Sequence, residues 1–66
     1  MKKLRVNSSV YSAETIRASM KAYQKHAITT VKYKLGYAEI TFWKCRYDED
    51  LTVKEFENYM IGIENS

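Results

Sequence analysis

The sequence predicts a two-layer α+β domain of βαββα order, in which two helices cover one face of a three-stranded mixed sheet. Three observations carry this prediction: an apolar–polar alternation near the N-terminus, two β-rich runs joined by a short glycine turn, and two amphipathic segments that each begin at a capping residue. Residues 1–66 make one domain, because a chain of this length buries only about 60% of the surface that its unfolded form exposes.

The first strand is predicted over residues 3–7, where Leu4 and Val6 alternate with charged or polar residues. A helix follows, with Ser12 as its N-cap, because a serine hydroxyl accepts a hydrogen bond from an unpaired backbone N–H. Apolar residues three or four positions apart give this helix one buried stripe: Ala13, Ile16, Met20, Tyr23, Ala27.

The hairpin lies in the middle of the chain. Residues 28–34 and 37–47 are rich in β-branched and aromatic side chains, which favour strands. Leu35 and Gly36 make the turn between them, because glycine adopts the positive φ that tight hairpins need.

The second helix is predicted to follow an acidic turn over residues 48–50. Thr52 and Glu55 match the spacing of a capping box, which places the N-cap at Thr52. The apolar stripe of this helix repeats at helical spacing: Val53, Phe56, Met60, Ile63.

The open face of the sheet is the predicted binding site. The first two strands are joined through a helix and should be parallel, and the third can lie between them, antiparallel to both. Each helix has one apolar stripe, so both should pack on the sheet face that carries Ala38, Ile40 and Phe42. Strict alternation then gives the open face four binding residues: Thr41, Trp43, Cys45, Tyr47.

An uncovered sheet face that bears tryptophan invites a partner. Docking of a protein or peptide, including a homodimer seam, is the favoured interpretation, and stacking of single-stranded nucleic acid is the alternative. Glu39 is also predicted on this face, and its negative charge would repel the phosphates of a nucleic acid. A strand at the sheet edge could also accept a peptide as an added strand, unless Lys32 and Lys34 protect that edge.

Charge is distributed unevenly along the chain. Residues 1–45 hold nine Lys or Arg and two acids, whereas residues 46–66 hold two Lys or Arg and six acids. A predicted basic patch on the first helix consists of Arg17, Lys21 and Lys25. Such a patch suits nucleic acid, and the opposed charges of the two segments also suit self-association.

No catalytic residue, metal site or cofactor is predicted. Cys45 is the only cysteine and His26 the only histidine, whereas a closed zinc site needs about four such ligands. Cys45 and His26 could act as nucleophile and base, but no third orienting group is indicated. The acids at 48–50 lack the spacing and the glycine of a calcium loop.

The sequence predicts a cytoplasmic protein with no membrane partner. No apolar run approaches the roughly 20 residues that span a bilayer. The basic start over residues 1–5 is like that of a signal peptide, but Asn7, Ser8 and Ser9 interrupt the hydrophobic region. A lone free thiol suits a reducing compartment.

The pattern over residues 4–60 resembles the small D component of the His-Xaa-Ser system (HxsD). The matching features are a short strand, the run Val10-Tyr11-Ser12 that opens a helix, a hairpin, and a closing helix with Phe56-Glu57-Asn58. The resemblance implies an accessory or substrate-presenting subunit in a peptide-maturation system whose radical-SAM enzymes carry the iron–sulfur chemistry. It implies no catalytic residue in this chain.

These observations predict a non-catalytic accessory subunit that binds a protein or peptide by complex formation, in a radical-SAM peptide-maturation system of the His-Xaa-Ser type. The alternative is a small basic regulator that binds RNA or DNA. A free-standing enzyme is disfavoured, because no set of nucleophile, base and oxyanion donors can be named.

Overall fold

The computed structural model describes all residues from Met1 to Ser66. Its elements follow the βαββα order: β1 Lys2–Asn7, α1 Ala13–Ala22, β2 Ala27–Lys34, β3 Tyr37–Cys45, α2 Glu49–Glu64. The two-layer α+β architecture is therefore confirmed. Neither helix is both long and apolar enough to span a bilayer.

The sheet has the order β1-β3-β2, with β3 in the centre. β1 and β2 point the same way, as the helical crossover requires, but β3 separates them, so every neighbouring pair is antiparallel and the sheet is not the mixed one that the sequence predicts. The β2–β3 hairpin turns at Gly36, whose φ of 85° is the left-handed conformation that glycine adopts without steric cost. β1 and β2 are consequently the two edges of the sheet.

The core lies between the two helices and one face of the sheet. Ala38, Ile40 and Phe42 of β3 are fully buried, as are Phe56 and Met60 of α2. The rings of Phe42 and Phe56 pack edge to face, with centroids 5.1 Å apart. This contact joins the central strand to α2 and defines the covered face of the sheet.

The first helix begins where the sequence predicts and ends earlier. Ser12 is the N-cap, and its hydroxyl accepts from the Thr15 N–H. The helix closes at Ala22, with Tyr23 as C-cap. The prediction that Ala27 extends the helical stripe is wrong: Ala27 opens β2, and its buried side chain reaches the core from the strand.

The N-cap of the second helix, Asp48, lies four residues before the predicted one, Thr52. Asp48 caps it by accepting from the Leu51 N–H at 2.9 Å, while the Thr52 hydroxyl donates back to the Asp48 carbonyl inside the first turn. Aspartate is a stronger N-cap residue than threonine. Glu49 and Asp50 also suit a first turn, because the helix dipole favours acids there, and Asp50 pairs with Lys2 at 2.8 Å.

A β-bulge interrupts the pairing of β2 with β3. Thr29 lies opposite Phe42 and Ile28 lies opposite Lys44, so Trp43 is an extra residue in β3. The bulge shifts the alternation by one position. Trp43 and Lys44 therefore both lie on the uncovered face, whereas the next residue returns to the covered one.

Candidate functional site

The uncovered face of the sheet carries mostly basic and aromatic side chains. We call it the open face; cross-strand pairing places these residues on it: Lys3, Arg5, Ile28, Thr30, Lys32, Lys34, Tyr37, Glu39, Thr41, Trp43, Lys44. Five of them are cationic and only Glu39 is acidic. No helix packs against this face, because the core cluster draws on the opposite side of the sheet.

Trp43 is the largest side chain on the open face. Its relative exposure is 55%, although it sits on the central strand. The indole Nε1–H donates to the Thr30 hydroxyl at 2.7 Å, which fixes the ring towards β2. A large ring held in one orientation at an accessible position loses little conformational entropy when a partner covers it.

The β1 half of the open face is largely neutralised. Glu39 lies on the central strand, and its side chain is only 10% exposed. Its carboxylate oxygens are 3.7 Å from the Lys3 Nζ and 3.6 Å from the Arg5 Nε. The Arg5 guanidinium also lies 5.5 Å from the ring centroid of Tyr37. These cations therefore have partners within the chain.

The β2 half carries cations without acidic partners. Lys32, Lys34 and Lys44 are exposed and take part in none of the four ion pairs of the molecule. Lys44 follows Trp43 in β3, Lys32 lies two residues from Thr30 and opposite Glu39, and Lys34 lies farther along β2, opposite Tyr37. This half of the open face therefore combines uncompensated positive charge with an oriented aromatic ring.

Two of the four predicted binding residues lie on the open face. Thr41 is there but is 92% shielded by its neighbours, and Trp43 is there and accessible. The placement of Cys45 is wrong, because the bulge at Trp43 turns it to the covered face, where it packs against the core opposite Ala27. No alternation rule could show this, since nothing in the composition of β3 marks an extra residue.

Tyr47 is also absent from the open face. It follows the end of β3, and its ring lies 5.8 Å from that of His26. His26 in turn lies 5.6 Å from Tyr23, which contacts Tyr59 of α2 at 5.7 Å. These rings line a recess of about 670 Å³ between the two helices, on the far side of the molecule from Trp43.

Cys45 and His26 border a second, shallower recess without a hydrogen bond between them. Burial raises the pKa of the Cys45 thiol, and the nearby charge of Glu49 raises it further. Both effects favour the protonated thiol, whereas a nucleophilic cysteine needs the thiolate.

The three residues of the predicted basic patch lie in two separate places in the structure. Arg17 and Lys21 project from α1 into a groove of about 430 Å³ that this helix forms with the first residues of β2. Lys25 lies beyond the end of the helix, beside Lys44 and Arg46. Arg17 and Lys21 therefore lie on α1 beside the outer edge of β2.

Sequence reasoning missed the lysines of the open face as a group. The sequence interpretation gives Lys32 and Lys34 as protection for a strand edge and does not group them with Lys44 on one face. The signal was present in the alternation of β2, which places Lys32 and Lys34 on one face with Thr30. The position of Lys44 depends on the bulge, which the sequence does not reveal.

The fold and the site define a small α+β domain with one covered and one basic, aromatic sheet face. No three His, Cys, Asp or Glu side chains come together to hold a metal ion. No protein-family model, curated protein or solved structure matches the chain.

Proposed function

We propose that this chain acts by binding rather than by catalysis, as an accessory subunit that docks an acidic protein or peptide on its open face. The observation that carries the proposal is the β2 half of that face, which holds an accessible Trp43 and three exposed lysines that form no ion pair, Lys32, Lys34 and Lys44. Tryptophan is one of the residues that dominate binding energy when a partner covers them, and complementary charge around it selects and orients the partner.

A homodimer through this face is a weaker proposal. A second copy would place like charges opposite one another, which costs free energy in any two-fold arrangement of the sheet faces. The acidic segment of residues 46–66 could meet the face only in a head-to-tail contact, and such contacts form open chains unless a ring closes.

The resemblance to the D component of the His-Xaa-Ser system supports the same class of function. In that setting the accessory subunit would present a peptide to a radical-SAM enzyme, and the acidic partner would be that peptide or the enzyme itself. The support is contextual, because the resemblance assigns no role to Trp43 or to the lysines around it.

Single-stranded nucleic acid is the second candidate partner. An aromatic ring on an open sheet, flanked by cations, is the arrangement on which bases stack while phosphates meet lysine. Trp43 with its neighbour Lys44 has these elements, and Lys32 and Lys34 continue the positive charge along β2. The carboxylate of Glu39 opposes phosphate and an acidic peptide alike, so it does not separate the two candidates, and Lys3 and Arg5 partly compensate for its charge.

A titration with two probes separates the candidates. We expect a labelled polyglutamate peptide to bind with micromolar to millimolar affinity and to compete successfully against oligodeoxythymidylate at about 150 mM salt. Tighter binding of the oligonucleotide, with an affinity that falls steeply between about 50 and 200 mM salt, would favour the nucleic-acid candidate. Binding of neither probe would contradict both.

A matched pair of charge reversals locates the contact. Lys34→Glu and Lys54→Glu change the net charge equally, but Lys34 lies on the open face and Lys54 lies exposed on α2. We expect Lys34→Glu to weaken peptide binding about fivefold more than Lys54→Glu does. Equal effects would mean that only the overall charge attracts the peptide.

A further inference from the structure

The outer edge of β2 has unpaired backbone groups. The Arg46 N–H donates to the His26 carbonyl at 2.8 Å, which marks His26 as a position that bonds to β3. Hydrogen bonding alternates along an antiparallel ladder, so the N–H and C=O groups of Thr29, Val31 and Tyr33 point away from β3. None of these groups bonds to a loop, cap or side chain.

Cations flank this edge on both sides of the sheet. Arg17 and Lys21 of α1 line the groove above the first residues of β2, and Lys32 and Lys34 lie on the open face below it. All four are exposed, and none forms an ion pair. A strand placed against β2 would therefore meet positive charge through side chains that point either way.

The opposite edge of the sheet differs in its charges. On β1, Lys2 pairs with Asp50, and Lys3 and Arg5 share Glu39, so its cations are satisfied within the chain. Lysines on an edge also discourage pairing with a second copy of the same edge, because the like charges are brought together. The β2 edge therefore disfavours its own copies and favours a strand of opposite charge.

From these observations we propose that the β2 edge accepts an extended acidic segment of a partner protein as a fourth strand. The backbone of Thr29, Val31 and Tyr33 supplies the hydrogen bonds, and the flanking cations select acidic side chains. Main-chain bonds give affinity in such strand addition, and alternate side chains give specificity. The inference rests on the proposed function, since it names the form that an acidic partner takes at this site.

The test uses the intact chain and a capped peptide of alternating glutamate and threonine, about seven residues long. Hydrogen exchange should slow at the amides of Thr29, Val31 and Tyr33 when the peptide binds, because these N–H groups become bonded. Tyr33→Pro removes one outward N–H at an edge position where proline is tolerated. Compared with Tyr33→Ala, it should weaken binding about fivefold, the value of one lost hydrogen bond.

The outcomes separate this inference from the proposed function. Peptide binding without added protection of the three amides, and with equal affinities for Tyr33→Pro and Tyr33→Ala, would overturn strand addition and leave docking on the open face intact. No binding of the peptide at all would overturn both. Oligodeoxythymidylate that outcompetes the peptide would assign the face to nucleic acid and also overturn strand addition.

Discussion

The two faces of the sheet share one central strand and have opposite roles. Ile40 and Phe42 point to the helices and have no exposed surface, whereas Trp43, next in sequence to Phe42, is more than half exposed. A small core cannot leave a large aromatic ring outside without losing the stability that its burial would bring. The covered face therefore maintains the fold, and the exposed Trp43 is the residue on which the proposed docking depends.

The largest expected effect is the loss of stability caused by a substitution on the covered face. Phe42→Ala should lower the free energy of unfolding by about 3–5 kcal/mol, because it removes a fully buried ring that packs on Phe56. A domain of this size has only a few kcal/mol in total, so the variant should be largely unfolded at 25 °C. Urea denaturation followed by circular dichroism measures this, and a loss below about 1 kcal/mol would contradict the assignment of the core.

Trp43→Ala should affect binding much more than stability, which is the opposite of the effect expected for Phe42→Ala. Its ring is half exposed and makes one hydrogen bond, to Thr30, so the free energy of unfolding should fall by only about 1 kcal/mol. Affinity for the polyglutamate peptide should fall about tenfold, as it does for a tryptophan at the centre of an interface. A variant that is strongly destabilised, or that binds the peptide as well as the wild type does, would make Trp43 a structural residue.

Glu39→Gln should strengthen binding of an acidic partner. The substitution keeps the shape of the side chain and removes the one negative charge of the open face, which frees Lys3 and Arg5. We expect affinity for the peptide to rise about threefold. Glu57→Gln on α2 is the matched control, because it removes the same charge away from this face, and an equal gain in both variants would count against a local effect.

The smallest effect concerns the contact between the two helices. The Glu64 carboxylate accepts from the Thr15 hydroxyl at 2.6 Å and from the Ser12 N–H at 2.8 Å. These bonds, first that from Thr15, lower the pKa of Glu64 in the folded state. Its contribution to stability is therefore present above the pKa of the unfolded chain and is lost as pH falls through the lower folded value.

Glu64→Gln should consequently be less stable than the wild type at pH 7, and the difference should shrink as the pH falls through the lowered pKa of the folded state. Urea denaturation at pH 7 and at lower pH values checks this. Glu57→Gln should show no such pH-dependent difference, because Glu57 makes neither a hydrogen bond nor an ion pair. A stability gap for Glu64→Gln that persists at low pH would assign the effect to packing.

The fold was more predictable from sequence than the site was. Alternation at Leu4 and Val6, the Ser12 cap and the Gly36 turn are local signals, and each appears where the sequence predicts it. The predicted start of α2 is wrong because the capping-box spacing of Thr52 and Glu55 outweighs Asp48, which is the stronger N-cap residue.

The composition of the binding surface depends on relations between strands. Cys45 lies on the covered face because Trp43 is an extra residue in β3. No residue type marks the position of such a bulge in a sequence. The cations of β1 have acidic partners, and those of β2 do not. This difference depends on the order of the strands and on the position of Glu39 in the central strand, close to Lys3 and Arg5. Neither relation can be inferred from residue spacing.

Trp43 is the only tryptophan, so its fluorescence reports on the open face alone. Titration of the intact chain with the polyglutamate peptide tests the central claim most directly. If the open face is the docking surface, the emission should shift to shorter wavelength and saturate, and Lys34→Glu should move the titration to higher peptide concentration. Binding detected by calorimetry with no change in the emission of Trp43 would place the partner elsewhere and contradict the claim.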